Sequence, residues 1–308
     1  TGGIVIAQVR RVVQNGSINP HAVHVPGIIV DWLVETPDML QTTATPYDPA
    51  ISGELIRPLD SFQIPEFGIQ KVIGRRVAQE LQEGWAVNIG FGVSANVPRI
   101  FLEEGKHGAV TWVIEQGAVG GIPLLDFKFG CASNAEAFVA SPHQFSYFQA
   151  GGFDCSLLSF LEIDTNGSVN VSRLAKTPHR TAGSGGFVDI TARAKKIVFS
   201  GTFNAGAKTV IRNGKVVIKK EGHTPKFVER VDQVSFSGKR ANLQGQDIRY
   251  VTERCVIDLT QDGLSLVEIA PGLNVQKDIL EQAEANISVA TDLKIMAGEL
   301  FKPELIGL

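Results

Sequence analysis

The chain has 308 residues, a formal charge of −3 and 44% hydrophobic residues, which suffices for one large or two modest globular domains. That near-neutral balance argues against nucleic acid as the main partner, because phosphate neutralisation needs concentrated Lys and Arg, and the pairs Lys195-Lys196 and Lys219-Lys220 are too short to supply it. Three cysteines (Cys131, Cys155, Cys255) are odd in number and lack C-x-x-C spacing, so buried thiols in a reducing, cytoplasmic compartment are expected, with no disulfide framework and no metal site. No apolar run approaches the length of a membrane-spanning helix, and no signal peptide is visible.

Thr1 enters directly on the apolar run Ile4–Val13, which leads to the expectation that the front of a longer polypeptide is absent. A second strand-like run, His24–Val34, follows the turn-forming stretch Gln14-Asn-Gly-Ser-Ile-Asn-Pro20. Five prolines between Pro37 and Pro65 exclude a long helix there, so this stretch reads as a linker or wrapping loop and a domain boundary is placed near residue 65. From Ile69 to Gln82 the apolar positions Val72, Ile73, Val77, Ala78 and Leu81 recur at helical spacing, and Gly84 closes the helix. Trp85–Ser94 reads as a strand entering a Gly90-x-Gly92 turn, with a short helix over 95–104. That order sets backbone amides and a helix N-terminus against a phosphate- or pantetheine-bearing ligand, although such glycine pairs also occur in plain turns.

The run Val110-Thr-Trp-Val-Ile114 is a β-branched, apolar strand that ends on Glu115 and is followed by Gly117, Gly120 and Gly121. Open α/β sheets bind ligands at the carboxyl ends of their strands, and glycines there let main-chain amides approach a ligand. Glu115 is thus a candidate nucleophile or base, weighed against a solvated strand-end carboxylate. Further on, Asp164–Gly167 has hairpin-turn chemistry. A third glycine cluster stands at Gly183-Ser-Gly185-Gly186, and Lys196–Ser200 reads as a strand. Strand-like alternation fills 210–260, with turns at Asn213-Gly214 and Asp262-Gly263, and 276–300 reads as mostly helical. The class is α/β with an open sheet of mixed strand direction, flanking helices and extra β-rich material late in the chain.

Three glycine-bearing strand ends, with the carboxylate on the middle one, make the chain resemble the glutamate-dependent (family I) CoA-transferases, especially the single-chain short-chain acyl, acetate and propionate type. The resemblance covers essentially all of the 308 residues, carried by stretches spread along the chain. They include Thr1–Val9, Val25–Asp31, Gly84–Ser94, Ile114–Ile122, Gln144–Asp154, Gly183–Ile190, Tyr250–Val256 and Glu268–Leu280. The resemblance implies the sheet topology shared with sugar-phosphate isomerases, and a chain of two homologous halves. Residues 1–65 then correspond to the tail of the first half plus a linker, and 66–308 to the second half, which carries the catalytic glutamate.

By the same resemblance Glu115 becomes the nucleophile that forms a glutamyl-CoA thioester, and Gly186, with Gly185 as the alternative, donates to the oxyanion. Gly90, Phe91, Gly92, Val93 and Ser94 would lie along coenzyme A, with Ala182 and Lys208 as further CoA contacts. Ala182 lacks the side chain that some relatives have there. Gln144 and Gly117 would belong to the substrate pocket, with the Gln144 amide facing the acyl group. Ile114-Glu-Gln-Gly117 departs from the family's Ser-Glu-Asn-Gly at both flanks of the glutamate, which leans towards short-chain acyl groups.

Covalent, ping-pong chemistry of this kind needs a carboxylate and fixed amide donors, and it implies no metal and no permanently bound cofactor, coenzyme A being both substrate and intermediate. The implied partners are an acyl-CoA, a small carboxylate, a missing N-terminal segment or second subunit, and further copies in a homo-oligomer. Neither nucleic acid nor membrane is implied. An acyl-CoA hydrolase using the same glutamate, a sugar-phosphate isomerase-like enzyme, and a half that is inactive without its partner segment are the competing readings.

Overall fold

A computed structural model describes residues 2–308, which divide into two compact units, Thr1–Pro49 and Ala50–Leu308. The boundary expected near residue 65 therefore differs from the observed division. Residues 50–65 belong to the larger unit, in which Ala50, Ile51 and Phe62 are buried. The smaller unit is built on two parallel strands, Ile6–Val9 and Trp32–Glu35, paired from Ile6 with Trp32 to Val9 with Glu35. The Asp31 and Glu35 carboxylates accept hydrogen bonds from the Val5 and Val12 amides at their margins. Strand structure does not extend through the whole expected run His24–Val34. Pro26 fixes its φ at −68°, and the Ile29 amide turns back to the Pro26 carbonyl, so Gly27–Ile29 is a 3₁₀ turn and the strand starts only at Trp32.

The larger unit is organised by a ten-stranded mixed sheet. At its centre, Thr111–Val113, Ala86–Ile89, Cys155–Ser159, Lys196–Ser200 and Asp247–Val251 lie side by side, all parallel. In chain order this is the sequence 2-1-3-4-5, so the direction of winding reverses between Ala86–Ile89 and Cys155–Ser159. The strands are apolar because both faces are covered. Along Lys196–Ser200, Ile197 and Phe199 pack into one core and Val198 into the other, following the period-two alternation of a strand. Helices Ile69–Ala78 and Val97–Glu103 contribute Val72, Ile73, Val97 and Ile100 to the second core. Phe148 of helix Ser141–Gln149, Phe187 and Ile190 of helix Phe187–Arg193 and Ala241 of helix Gly238–Gln244 fill the first.

Antiparallel strands extend both edges of this parallel centre. Cys255–Thr260 and Gly263–Ile269 lie on one side, and Ala118–Val119 and Ala137–Phe138 on the other. The mostly helical reading of 276–300 is corrected here. Only Val275–Asp278 and short 3₁₀ turns are helical, and Ile287–Ile295 is the outer strand, parallel to Gly263–Ile269. Its β-branched residues Ile287, Val289, Thr291 and Ile295 favour the extended chain, and Asp292 and Lys294 are the charges expected on a solvent-facing edge. Among the described residues no helix is long and apolar enough to cross a membrane.

A charge network ties the amino ends of the parallel strands to the first helix. Arg76 makes a bidentate bond to Glu268 and also reaches Glu80, and Glu80 in turn holds Lys196 and Arg249. Burial alone would raise the Glu80 carboxyl, but Arg76, Arg249 and Lys196 outweigh it and hold it at about 2. A carboxyl depressed on folding contributes stability that is complete above the ordinary glutamate value and is lost as pH falls towards 2. Replacing Glu80 by Gln is expected to lower unfolding free energy at pH 7 by about 3 kcal/mol and to flatten the loss of stability between roughly pH 4.5 and 2. Urea denaturation across that pH range measures both effects.

Candidate active site

The reversal of winding places a crevice at the carboxyl ends of Ala86–Ile89 and Cys155–Ser159, and a cleft of about 260 Å³ opens there. Gly90 and Phe91 line it from the end of the first strand, and Leu158 and Ser159 from the other. Glu115 and Gln116 enter from the end of the neighbouring strand Thr111–Val113, and Ala182–Gly185 and Phe187 close the far wall.

Glu115 is presented by a tight turn. The Gly117 amide donates to the Ile114 carbonyl at 2.9 Å, and the Ile114 amide donates to Ala118. Gly117 sits at φ +118°, and a Cβ on it would come within 2.0 Å of the Val139 carbonyl oxygen, so only glycine fits. The strand that carries the turn is held by side-chain amides. Asn88, buried in the adjacent strand, donates to the Val113 carbonyl at 3.1 Å and accepts from the Ser156 hydroxyl at 2.8 Å.

The half-buried Glu115 carboxylate faces the glycine turn that opens helix Phe187–Arg193. The Gly186 amide donates to Glu115 Oε2 at 3.2 Å, and the Gln116 side-chain amide lies 3.4 Å from Oε1. A Cβ on Gly186 would stand 2.6 Å from Oε2 and 2.5 Å from the Phe145 ring, and Gly185 has φ +52°. Both positions are thus closed to larger residues. Burial raises the affinity of Glu115 for its proton; the Gly186 hydrogen bond opposes this and the nearby Asp189 charge adds to it.

The expected site residues separate into groups. Glu115, Gly185, Gly90, Phe91 and Ala182 line the cleft, and Gly186 touches its carboxylate. Gly92, at φ +116°, approaches Ser159 closely, whereas Val93 and Ser94 begin the turn behind the cleft. The Ser94 hydroxyl is buried and shares a hydrogen bond of 2.6 Å with Ser200. Gly117 shapes the turn and does not line the cleft. Gln144 is buried, its amide donates to the Ile114 carbonyl at 3.2 Å, and it is not among the residues that line the cleft. Lys208 is exposed at the start of the hairpin formed by Lys208–Arg212 and Lys215–Lys220, away from the cleft lining.

Sequence reasoning passed over Phe129, Val171 and Phe187, which give the cleft its apolar wall, and the polar Ser159 beside them. The Phe91 and Phe129 rings meet edge to face with centroids 6.1 Å apart. It also passed over Asn88 and Ser156, whose signal was available as a polar residue inside an otherwise apolar strand.

A carboxyl whose proton affinity rises on folding costs stability once pH exceeds the ordinary glutamate value. Glu115→Gln is therefore expected to raise the melting temperature at neutral pH. The gain should shrink as the pH is lowered through the range where an unfolded glutamate takes up its proton, which calorimetry at a series of pH values measures.

No family model matches the sequence. It is 40% identical to a caffeate CoA-transferase of Acetobacterium woodii, over 100% of this chain and 60% of that protein. To the acetate CoA-transferase YdiF of Escherichia coli K12 it is 37% identical, over 99% of this chain and 57% of the relative. The crystal structure of the Escherichia coli O157:H7 acyl-CoA transferase in a thioester complex with CoA superposes with a TM-score of 0.89 at 36% identity, covering 100% of this chain and 57% of that one. The chain thus spans somewhat under two thirds of the length of these relatives.

Proposed function

The chain belongs to the family I CoA-transferases, and we propose that it carries the catalytic glutamate of an enzyme that moves CoA from a short-chain acyl-CoA to a carboxylate acceptor. The observation that carries this reading is the Gly186 amide, 3.2 Å from a half-buried Glu115 carboxylate in a cleft at the sheet's switch point.

In the proposed sequence a Glu115 carboxylate oxygen attacks the thioester carbonyl, and the C–S bond breaks to give an acyl-glutamyl anhydride and CoA thiolate. The thiolate then attacks the glutamyl carbonyl and expels the acyl group as a carboxylate, which leaves Glu115 as its CoA thioester. The acceptor carboxylate runs the same two exchanges in reverse, so every bond broken is replaced and no net proton is consumed. Each exchange on the glutamyl carbonyl passes through an oxyanion at the position Oε2 occupies, where the Gly186 amide is already aimed. One such donor is typically worth ~3 kcal/mol of transition-state stabilisation.

Partial withdrawal from water supports the same reading, because a carboxylate with raised proton affinity is a stronger nucleophile. Phe91, Phe129, Val171 and Phe187 favour an apolar acyl group over one bearing a second charge. Residues 66–308 are read as the catalytic half, acting together with a second half on the same chain or on a partner subunit, within a homo-oligomer in the cytoplasm. The share of the relatives' length that the chain matches supports the need for a second half.

Incubation with acetyl-CoA followed by digestion and mass spectrometry is expected to show CoA on the peptide that contains Glu115, and Glu115→Ala should abolish it while leaving the melting temperature close to wild type. An adduct that survives the substitution places the nucleophile elsewhere. Release of acetate without any exchange of label between acetyl-CoA and acetate would favour the hydrolase.

A further inference from the structure

The helix Ser141–Gln149 has a bearing on the reaction centre that its distance in sequence from both Glu115 and Gly186 conceals. Its positions 144 and 148 face the core, and both are buried. From position 144 the side-chain amide reaches the Ile114 carbonyl at 3.2 Å, the same oxygen that accepts the Gly117 amide in the turn presenting Glu115. One turn further on, the Gln149 amide donates at 2.6 Å to Asp189, three residues into the helix that Gly186 opens. Between these two anchors the Phe145 ring lies against Gly186, close enough that an added Cβ would collide with it at 2.5 Å. The ring itself is held edge to face against Phe148 at 6.0 Å.

We propose that helix Ser141–Gln149 is the positioning element of the site, with Gln144 fixing the turn that carries Glu115 and Gln149 fixing the helix that carries the Gly186 amide. This inference rests on the function proposed above. Glu115 and Gly186 come from different elements, and this third element is bonded to the segments that carry both. Gln144 is thereby a positioning residue and not an acyl contact. Its bond is made to main chain in a buried setting, so the geometry does not depend on which acyl group occupies the cleft. A misplacement of about 1 Å between reacting groups costs on the order of 10²-fold in rate without weakening ground-state binding, so the bracket acts on turnover more than on affinity.

Asp189 enters through the same bracket. Its carboxylate, oriented by Gln149, lies on the first turn of the helix facing Glu115. The groups that face Glu115 are the Asp189 carboxylate on that helix, the Gly186 amide and the neutral Gln116 amide from its own turn. Loss of the Asp189 charge therefore lowers the proton affinity of Glu115 and moves the acidic limb of the rate profile to lower pH.

The test uses the full-length protein and follows CoA-adduct formation on Glu115 from acetyl-CoA under single-turnover conditions. Gln144→Leu is expected to slow adduct formation at saturating acetyl-CoA by about tenfold or more, while the half-saturating concentration stays within about twofold of wild type. Asp189→Asn and the exposed substitution Gln149→Ala supply variants that do not disturb the core. Asp189→Asn should shift the acidic limb downwards, and Gln149→Ala should slow the step without raising the half-saturating concentration. Unchanged saturating rates in folded Gln144→Leu and Gln149→Ala, together with an Asp189→Asn profile superimposable on wild type, overturn the bracket. Equal loss in rate and apparent affinity in Gln144→Leu also overturns it, because that places Gln144 on the substrate. Absence of any adduct on the wild-type protein instead removes the proposed function itself.

Discussion

A single hydrogen bond, from the Gly186 amide to the Glu115 carboxylate, defines what this site is able to do. Every other feature around it either brings those two groups together or keeps them from being crowded. The turn at 114–117 needs glycine at its end because the Val139 carbonyl occupies the space of a side chain, and the facing turn needs glycine because the carboxylate and Phe145 occupy it on the other side. Two backbones that could not otherwise approach are thereby allowed to do so. The carboxylate that results has lost part of its hydration and gained only one main-chain donor, and this imbalance is what makes it basic.

Placement of the site follows from the winding of the sheet more than from any local motif. Strand order 2-1-3-4-5 leaves a gap at the ends of the two strands between which the chain changes direction, and both glycine turns that flank Glu115 open onto it. The similarity to the CoA-bound Escherichia coli structure extends over the whole chain, so the architecture that frames the cleft is common to both.

Much of this was legible in the sequence, and the parts that were not have physical reasons. Glu115 and its glycines stood out because a charged residue and unsubstituted backbone at the end of an apolar strand are a local pattern. The central strand Lys196–Ser200 was bounded correctly since its alternating burial is also local. Gln144 could be placed near the site but not aimed, because the orientation of a buried amide is decided by a main-chain carbonyl, that of Ile114, thirty residues away in sequence. Ile287–Ile295 read as helix because most of its residues are exposed and no face imposes a period, so its pairing with Gly263–Ile269 was invisible. Lys208 opens a surface hairpin and is not among the residues that line the cleft, a placement decided by strand pairing that no local pattern announces.

The cluster around Glu80 gathers its charges where the parallel strands begin, whereas Glu115 stands where they end. The same row of β-strands therefore carries the charge cluster at one rim and the Glu115 cleft at the other, with a buried apolar core packed on each face. Substitutions that reshape the cleft wall need not erode the clamp that holds the sheet to its first helix. Such a division of labour lets one rim change while the other stays put.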